Sequence, residues 1–126
     1  MTGKPEIVER YWYSIDWDVE SLWALDTPPR RQSLDALVWH LDVPVWPDPR
    51  GHPYRTTPRE VLTDPILHQK EHARIAAADL KFPIEVFSHK GRLMILDGIH
   101  RLAKAYSAGA GGIMVRDVPE ASVRRM

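Results

Sequence analysis

Met94-Ile95-Leu96-Asp97-Gly98-Ile99-His100-Arg101-Leu102-Ala103-Lys104 is the stretch from which the rest of the chain can be read. Three apolar residues run into Asp-Gly, and a helical pattern carrying His100, Arg101 and Lys104 near its start follows. This predicts a strand, a tight glycine turn and a helix. The first N–H groups of a helix have no partner within it, and its dipole places partial positive charge there. Gly98 allows another group to approach the backbone closely. Arg101 offers a planar fork of donors, and His100 and Lys104 add more. A strand–Gly–helix bend so equipped suits a phosphate or another anion. Asp97 would repel a bare anion, so it reads as a helix cap, a Mg²⁺ ligand, or both.

Downstream, the helix is expected from Ile99 to Ser107, stopping at Gly109, and Ile113-Met114-Val115 makes the last strand. Upstream, Pro83-Ile84-Glu85-Val86-Phe87 alternates as a strand. His89-Lys90-Gly91-Arg92 is a turn, and Leu93 to Leu96 is the return arm of a hairpin. Before it, Pro65 to Asp79 reads as the longest helix. Ile66, Ala73, Ala77 and Leu80 form its packing face, and His68, His72, Ile75 and Asp79 lie along another stripe. Thr57-Pro58-Arg59-Glu60 has the form of a capping box with proline at the first helical position. Six prolines between positions 44 and 65 forbid long regular structure there, yet the Trp, Tyr and Val content predicts an ordered loop.

Nearer the start, Tyr11 to Ile15 reads as the first strand, and Asp18 caps a short helix from Val19 to Leu25. Ser33 caps a helix from Leu34 to Leu41. Arg124 and Arg125 read as a frayed end. Together these predict one α/β (α+β) domain over residues 1–126, a small mixed sheet with surrounding helices. Residues 1–57 form a Trp/Pro-rich N-terminal extension plus the first strand, and residues 58–119 form the core.

The chain has 126 residues, of which 44% are hydrophobic and 27% charged, which is ordinary globular composition. No apolar run approaches the ~20 residues that cross a bilayer. Cysteine is absent, which excludes disulfides, thiolate zinc sites and thiol nucleophiles. The N-terminus lacks the apolar core of a signal peptide, so a cytoplasmic location is expected. Lys plus Arg and Asp plus Glu both number 17, without the basic excess usual in nucleic-acid binders. All five tryptophans fall in the first 46 residues. They either build a small core or wall an aromatic pocket near Asp16, Asp18, Glu20, Asp26 and Asp42.

The segment from about His72 to Pro119 resembles the ParB/sulfiredoxin superfamily. The resemblance lies in the Pro83-Ile84-Glu85-Val86 strand, the hairpin, Ile95 through Ala105, Gly109 and the closing strand. His72-Ala73-Arg74-Ile75 and Ala78-Asp79-Leu80 further resemble small stand-alone ParB-like proteins. The resemblance implies a nucleotide site. ParB-like partition proteins bind CTP, sulfiredoxins bind ATP, and free-serine kinases of the superfamily phosphorylate a small hydroxyl substrate. By that resemblance Gly98, His100 and Arg101 hold phosphates, and Asp97 assists Mg²⁺ or the substrate. Two departures narrow it. Ile99 stands where sulfiredoxins place their catalytic Cys, so sulfinic-acid repair by that route is excluded. The eight residues after Val118 leave no room for a DNA-reading helix-turn-helix, so no DNA partner is expected.

Phosphoryl transfer requires charge neutralisation, a metal, and a base near the attacking oxygen. Gly98, His100, Arg101 and Lys104 are expected to hold the phosphates and Asp97 the metal. In the serine-kinase branch an acidic residue after the first strand is the base; here Asp16, Asp18 and Glu20 are available, and Glu20 has the reach from a helix start. Glu20, Asp97 and His100 thus form the expected catalytic set, with His72 and Asp79 facing the substrate. The expected function is a nucleotide-dependent phosphotransferase, a kinase for a small polar metabolite. It would use ATP or ADP, or else CTP, with Mg²⁺ and no membrane partner. Two alternatives stand beside it. One is a non-catalytic nucleotide sensor. The other follows from His68-Gln69-Lys70-Glu71-His72, which spells the inverted zinc-peptidase pattern and allows a metal-dependent small-molecule enzyme using His68 and His72.

Overall fold

The structure is a computed structural model and describes residues 4–126. In chain order the elements are α1 (Glu6–Tyr11), β1 (Ile15–Asp16), α2 (Val19–Trp23), β2 (Arg30–Ser33), two 3₁₀ turns (Leu34–Ala36 and Val38–Asp42), α3 (Pro58–Thr63), α4 (Gln69–Ala77), β3 (Ile84–His89), β4 (Arg92–Asp97), α5 (Ile99–Ser107), β5 (Gly112–Asp117), a 3₁₀ turn (Glu120–Ser122) and β6 (Arg124–Arg125). The fold is α+β. Its four-stranded mixed sheet has the order β2-β5-β3-β4, and β1 and β6 form a separate antiparallel pair.

The β3–β4 hairpin closes through Lys90 (φ 51°) and Gly91 (φ 79°), two consecutive left-handed residues, which is what a two-residue hairpin loop requires. His89 pairs with Arg92 and Val86 with Ile95, then a bulge shifts the register so that Glu85 faces Asp97. β5 runs parallel to β3, with Glu85 beside Arg116. Directly paired residues share a face. Arg116, Glu85 and Asp97 therefore form a charged row across three neighbouring strands.

Both faces of the sheet are covered. Ile84, Val86, Ile95 and Val115 pack against Leu37, Leu41, Val61, Ile75 and the Leu102–Ala103–Ala105 face of α5. On the opposite face Phe87, Met94 and Leu96 meet Tyr11, Ile15, Leu22 and Val123. β4 is an edge strand, and side chains from the N-terminal half occupy its open backbone positions. The Ile95 N–H donates to His40 Nε2, Trp12 Nε1 donates to the Ile95 carbonyl, and Trp39 Nε1 donates to the Leu93 carbonyl. Unpaired strand edges invite further pairing, and this one is closed.

Several elements differ from the sequence expectations. Tyr11 ends a helix rather than opening a strand; Val8 and Tyr11 are buried at helical spacing, acidic Glu6 and Glu9 favour the helix start, and only Ile15–Asp16 is extended. Leu34 to Leu41 is two 3₁₀ turns, because the buried positions Leu34, Leu37 and His40 recur every third residue. The helix expected from Pro65 is confined to Gln69–Ala77. Its approach is held as a turn by the Asp64 carboxylate accepting the Leu67 N–H at 3.1 Å. Arg30–Ser33 is an unforeseen strand inside the stretch assigned as extension. Arg124 and Arg125 are not frayed but pair with Asp16 and Ile15. The capping box is formed, with Thr57 Oγ1 accepting from Glu60 N–H and Glu60 Oε1 accepting from Thr57 N–H. Among the described residues, no helix is long and apolar enough to cross a membrane.

Candidate ligand cleft at the start of α5

β4 ends at Asp97, and Gly98 turns the chain into α5 with φ +120°. Two constraints demand glycine here. The left-handed region disfavours any side chain, and a Cβ would sit 3.0 Å from Ile84 Cγ1 and 3.2 Å from the Arg101 guanidinium carbon. The bend is thus pressed between the sheet and Arg101.

Arg101 is well ordered by its surroundings. Its Nη1 donates to the carbonyls of Phe82 (3.1 Å) and Pro83 (2.5 Å), and Nη2 donates to Asp97 Oδ2 at 3.3 Å. The same Asp97 oxygen accepts Trp23 Nε1–H at 3.0 Å. Three of the five guanidinium donors are thereby committed. One residue earlier, His100 lies flat against Trp46, ring centroids 4.4 Å apart and planes 17° apart. Its Nε2 donates to Glu71 Oε1 at 3.1 Å. Glu71 is buried, also receives Arg74 at 3.4 Å, and leaves Oε2 unpartnered. A carboxylate thus fixes the ring orientation of a half-exposed histidine, as in many proton-handling sites.

These side chains border a cleft of about 880 Å³, within the range of small-molecule sites. Asp97, Gly98, His100 and Arg101 line it, and Asp79 joins them from the loop after α4. Trp23 and Phe82, 62% and 56% exposed, form aromatic rims. Arg74 contributes a further guanidinium, and Glu85 and Arg116 form the floor. Burial pushes the Glu85 carboxyl up from its ordinary value, against the pull of Arg101, while neighbouring Asp97 raises it further. Glu85 Oε2 and Arg116 Nε are both buried without a hydrogen-bond partner.

The other expected site residues lie elsewhere. Lys104 does not line the cleft; its Nζ donates to the carbonyls of Ala76 (2.8 Å) and Ala78 (2.7 Å), closing the C-terminal end of α4. A lysine at a helix end serves orphan carbonyls and the dipole at once. Glu20 is exposed in the first turn of α2 and is not among the residues lining the cleft, although Trp23 of the same helix is. Asp16 pairs with Arg124, and Asp18 accepts the Ser21 hydroxyl. His72 also stays outside the cleft lining. His68 precedes α4, buried beside a different hollow bordered by Pro47 and Asp48. Among the described residues no group of three or more His, Asp or Glu side chains converges as a metal site.

The tryptophans divide their roles. Trp12 and Trp39 serve the β4 edge, Trp46 supports His100, and Trp23 borders the cleft. Trp12, Trp17 and Trp46 also line a second, mostly apolar hollow of about 570 Å³. Sequence reasoning passed over Glu85, Arg116, Arg74 and Phe82, and left Trp23 open between a core and a pocket wall. The available signal was a carboxylate embedded in an otherwise apolar strand.

No family model, curated protein or solved structure gives a significant match to the chain.

Proposed function

We propose that the cleft binds a nucleotide, phosphates toward the start of α5, and that the chain is a nucleotide-dependent phosphotransferase for a small polar metabolite in a ParB/sulfiredoxin-like fold. One observation carries the reading. A single cleft gathers a helix start, the guanidinium groups of Arg74, Arg101 and Arg116, and the exposed rings of Trp23 and Phe82. Phosphate oxygens suit the first two features, and a base suits an aromatic rim.

The Asp97–Arg101 pair neutralises charge at the bend itself, so Arg74 and Arg116 support the reading as much as Arg101 does. The hydrogen bonds from Trp23 and Arg101 both fall on Asp97 Oδ2, and Asp97 is the residue that would hold Mg²⁺ beside the phosphates. Bound there, the ion would neutralise phosphate charge. Glu71 takes the Nε2–H of His100, so the other ring nitrogen would donate to a phosphate oxygen as part of an imidazolium. The Trp46 stack holds it in place.

Incubation with Mg²⁺ and ATP, ADP or CTP, followed by a pool of small hydroxyl metabolites, tests the reading. Micromolar to millimolar binding with nucleotide turnover is the expected result. Binding without turnover converts the chain to a nucleotide sensor, and absence of binding to all three overturns the nucleotide reading.

A further inference from the structure

Glu85 occupies a place where an apolar residue would be the simpler choice. Its strand neighbours Ile84, Val86 and Phe87 are buried, and Glu85 itself is 4% exposed. Its Oε2 finds no partner, yet the side chain borders the cleft. Asp97 from β4 and Arg116 from β5 are its strand partners, and both act on its charge together with Arg101 from α5, while His100, Arg74 and Asp79 line the same cleft. None of the cationic groups is hydrogen-bonded to its free oxygen. A buried carboxylate oxygen without a partner destabilises a fold unless something else calls for it.

Resting on the phosphotransfer reading above, we infer that Glu85, whose side chain borders the cleft, is the catalytic residue that accepts the proton of an alcohol substrate through its carboxylate. The acceptor class follows from the chemistry. A phosphate or carboxylate acceptor carries no proton that must be removed, whereas a hydroxyl does. In the step, the substrate O–H proton passes to the Glu85 carboxylate as the substrate oxygen forms its bond to the terminal phosphorus. The bond from phosphorus to the bridging oxygen breaks, and its electron pair leaves with the shortened nucleotide. Glu85 returns the proton to water when the products depart. Burial suits the role, because it raises the proton affinity of the carboxyl, and a general base works best when its pKa lies toward the working pH. Glu20, exposed outside the cleft lining, lacks this placement.

The test compares wild type with Glu85→Gln, Glu85→Asp and Glu85→Leu. Glutamine keeps the shape and removes the proton acceptor. Nucleotide affinity should stay within about twofold, while single-turnover transfer to the alcohol falls by at least about 10²-fold, the usual scale for loss of a general base. Aspartate should restore part of the rate and displace the acid limb of the pH profile. Leucine should abolish transfer while holding Tm at or above wild type, since it removes an unsatisfied group. Turnover in Glu85→Gln within about threefold of wild type overturns the inference, because a positioned base contributes far more than that. So does a loss of nucleotide affinity equal to the loss of rate. If wild type binds no nucleotide, the phosphotransfer reading fails by itself. Ligand-observed NMR with glycerol, ethanolamine and erythritol then decides the role of Glu85. Binding to wild type that is lost in Glu85→Gln supports a hydroxyl-reading Glu85, and binding to neither protein, or equally to both, overturns it.

Discussion

His40 Nε2 accepts the backbone N–H of Ile95 at 2.9 Å, so an imidazole stands where the next strand of the sheet would otherwise pair. The other nitrogen, Nδ1, donates to the Leu37 carbonyl at 2.7 Å. The ring is fully buried and must be neutral to accept at Nε2. Burial lowers its pKa to about 4.

This depressed value sets a pH dependence. Between about 6.5 and 4 the unfolded chain protonates this histidine and the folded chain does not, so folding stability falls as pH falls through that window. The expected loss is on the order of 3 kcal/mol by pH 4. His89, also held below its ordinary value by burial and by Arg125, adds in the same direction. Urea midpoints at pH 7, 6, 5 and 4 should show the slope, and His40→Gln should flatten most of it. An unchanged slope in that variant would assign the effect elsewhere.

Trp12 and Trp39 close the same edge with their indole N–H groups. Replacement of either by Phe keeps the aromatic packing and strands one carbonyl, at a cost of about 1 kcal/mol. The double variant should additionally scatter light at concentrations where wild type does not, because the strand edge is opened. Retained midpoints in both single variants would show that water replaces the indoles without penalty.

Lys104 separates a structural cation from a ligand-binding one. Lys104→Met preserves the aliphatic stem and removes both bonds to the end of α4. Stability should fall by about 1–2 kcal/mol, with nucleotide affinity unchanged within about twofold. Isothermal titration and thermal unfolding on the same preparation check this. A large affinity loss would return Lys104 to the cleft.

Arg74 and Arg101 should behave differently. The Arg74 side chain is 55% exposed and makes one long contact to Glu71, so Arg74→Ala should cost under about 0.5 kcal/mol while lowering nucleotide affinity about 5- to 10-fold, the scale of one charge-assisted contact. Arg101→Ala removes three hydrogen bonds from a side chain only 15% exposed, so stability should fall by about 1–3 kcal/mol together with affinity. Arg74→Ala with full affinity would leave the phosphate site without one of its guanidinium groups.

The hairpin and α5 were legible because local and global signals agree there. Lys90-Gly91 suits a two-residue loop, and apolar alternation flanks it. Asp97, Gly98, His100 and Arg101 did come together at one cleft. α1 was hidden because Tyr11, Trp12 and Tyr13 favour strands by propensity, while burial at Val8 and Tyr11 follows helical spacing. β2 was hidden because Arg30-Arg31-Gln32-Ser33 has no apolar alternation; its pairing with β5 supplies the order. The role of Lys104 could not be read, since one ammonium group serves phosphates and helix-end carbonyls equally. Glu85 was overlooked for a related reason. A charge in a strand is ordinarily assigned to solvent, but here the N-terminal half covers that face too.

The flat contact between Trp46 and His100 also gives the molecule a built-in optical gauge. Indole emission is sensitive to the protonation and position of an imidazole stacked on it. A ligand that shifts His100 would therefore register in the fluorescence of Trp46, a residue outside the cleft lining. Occupancy could then be followed without attaching a dye.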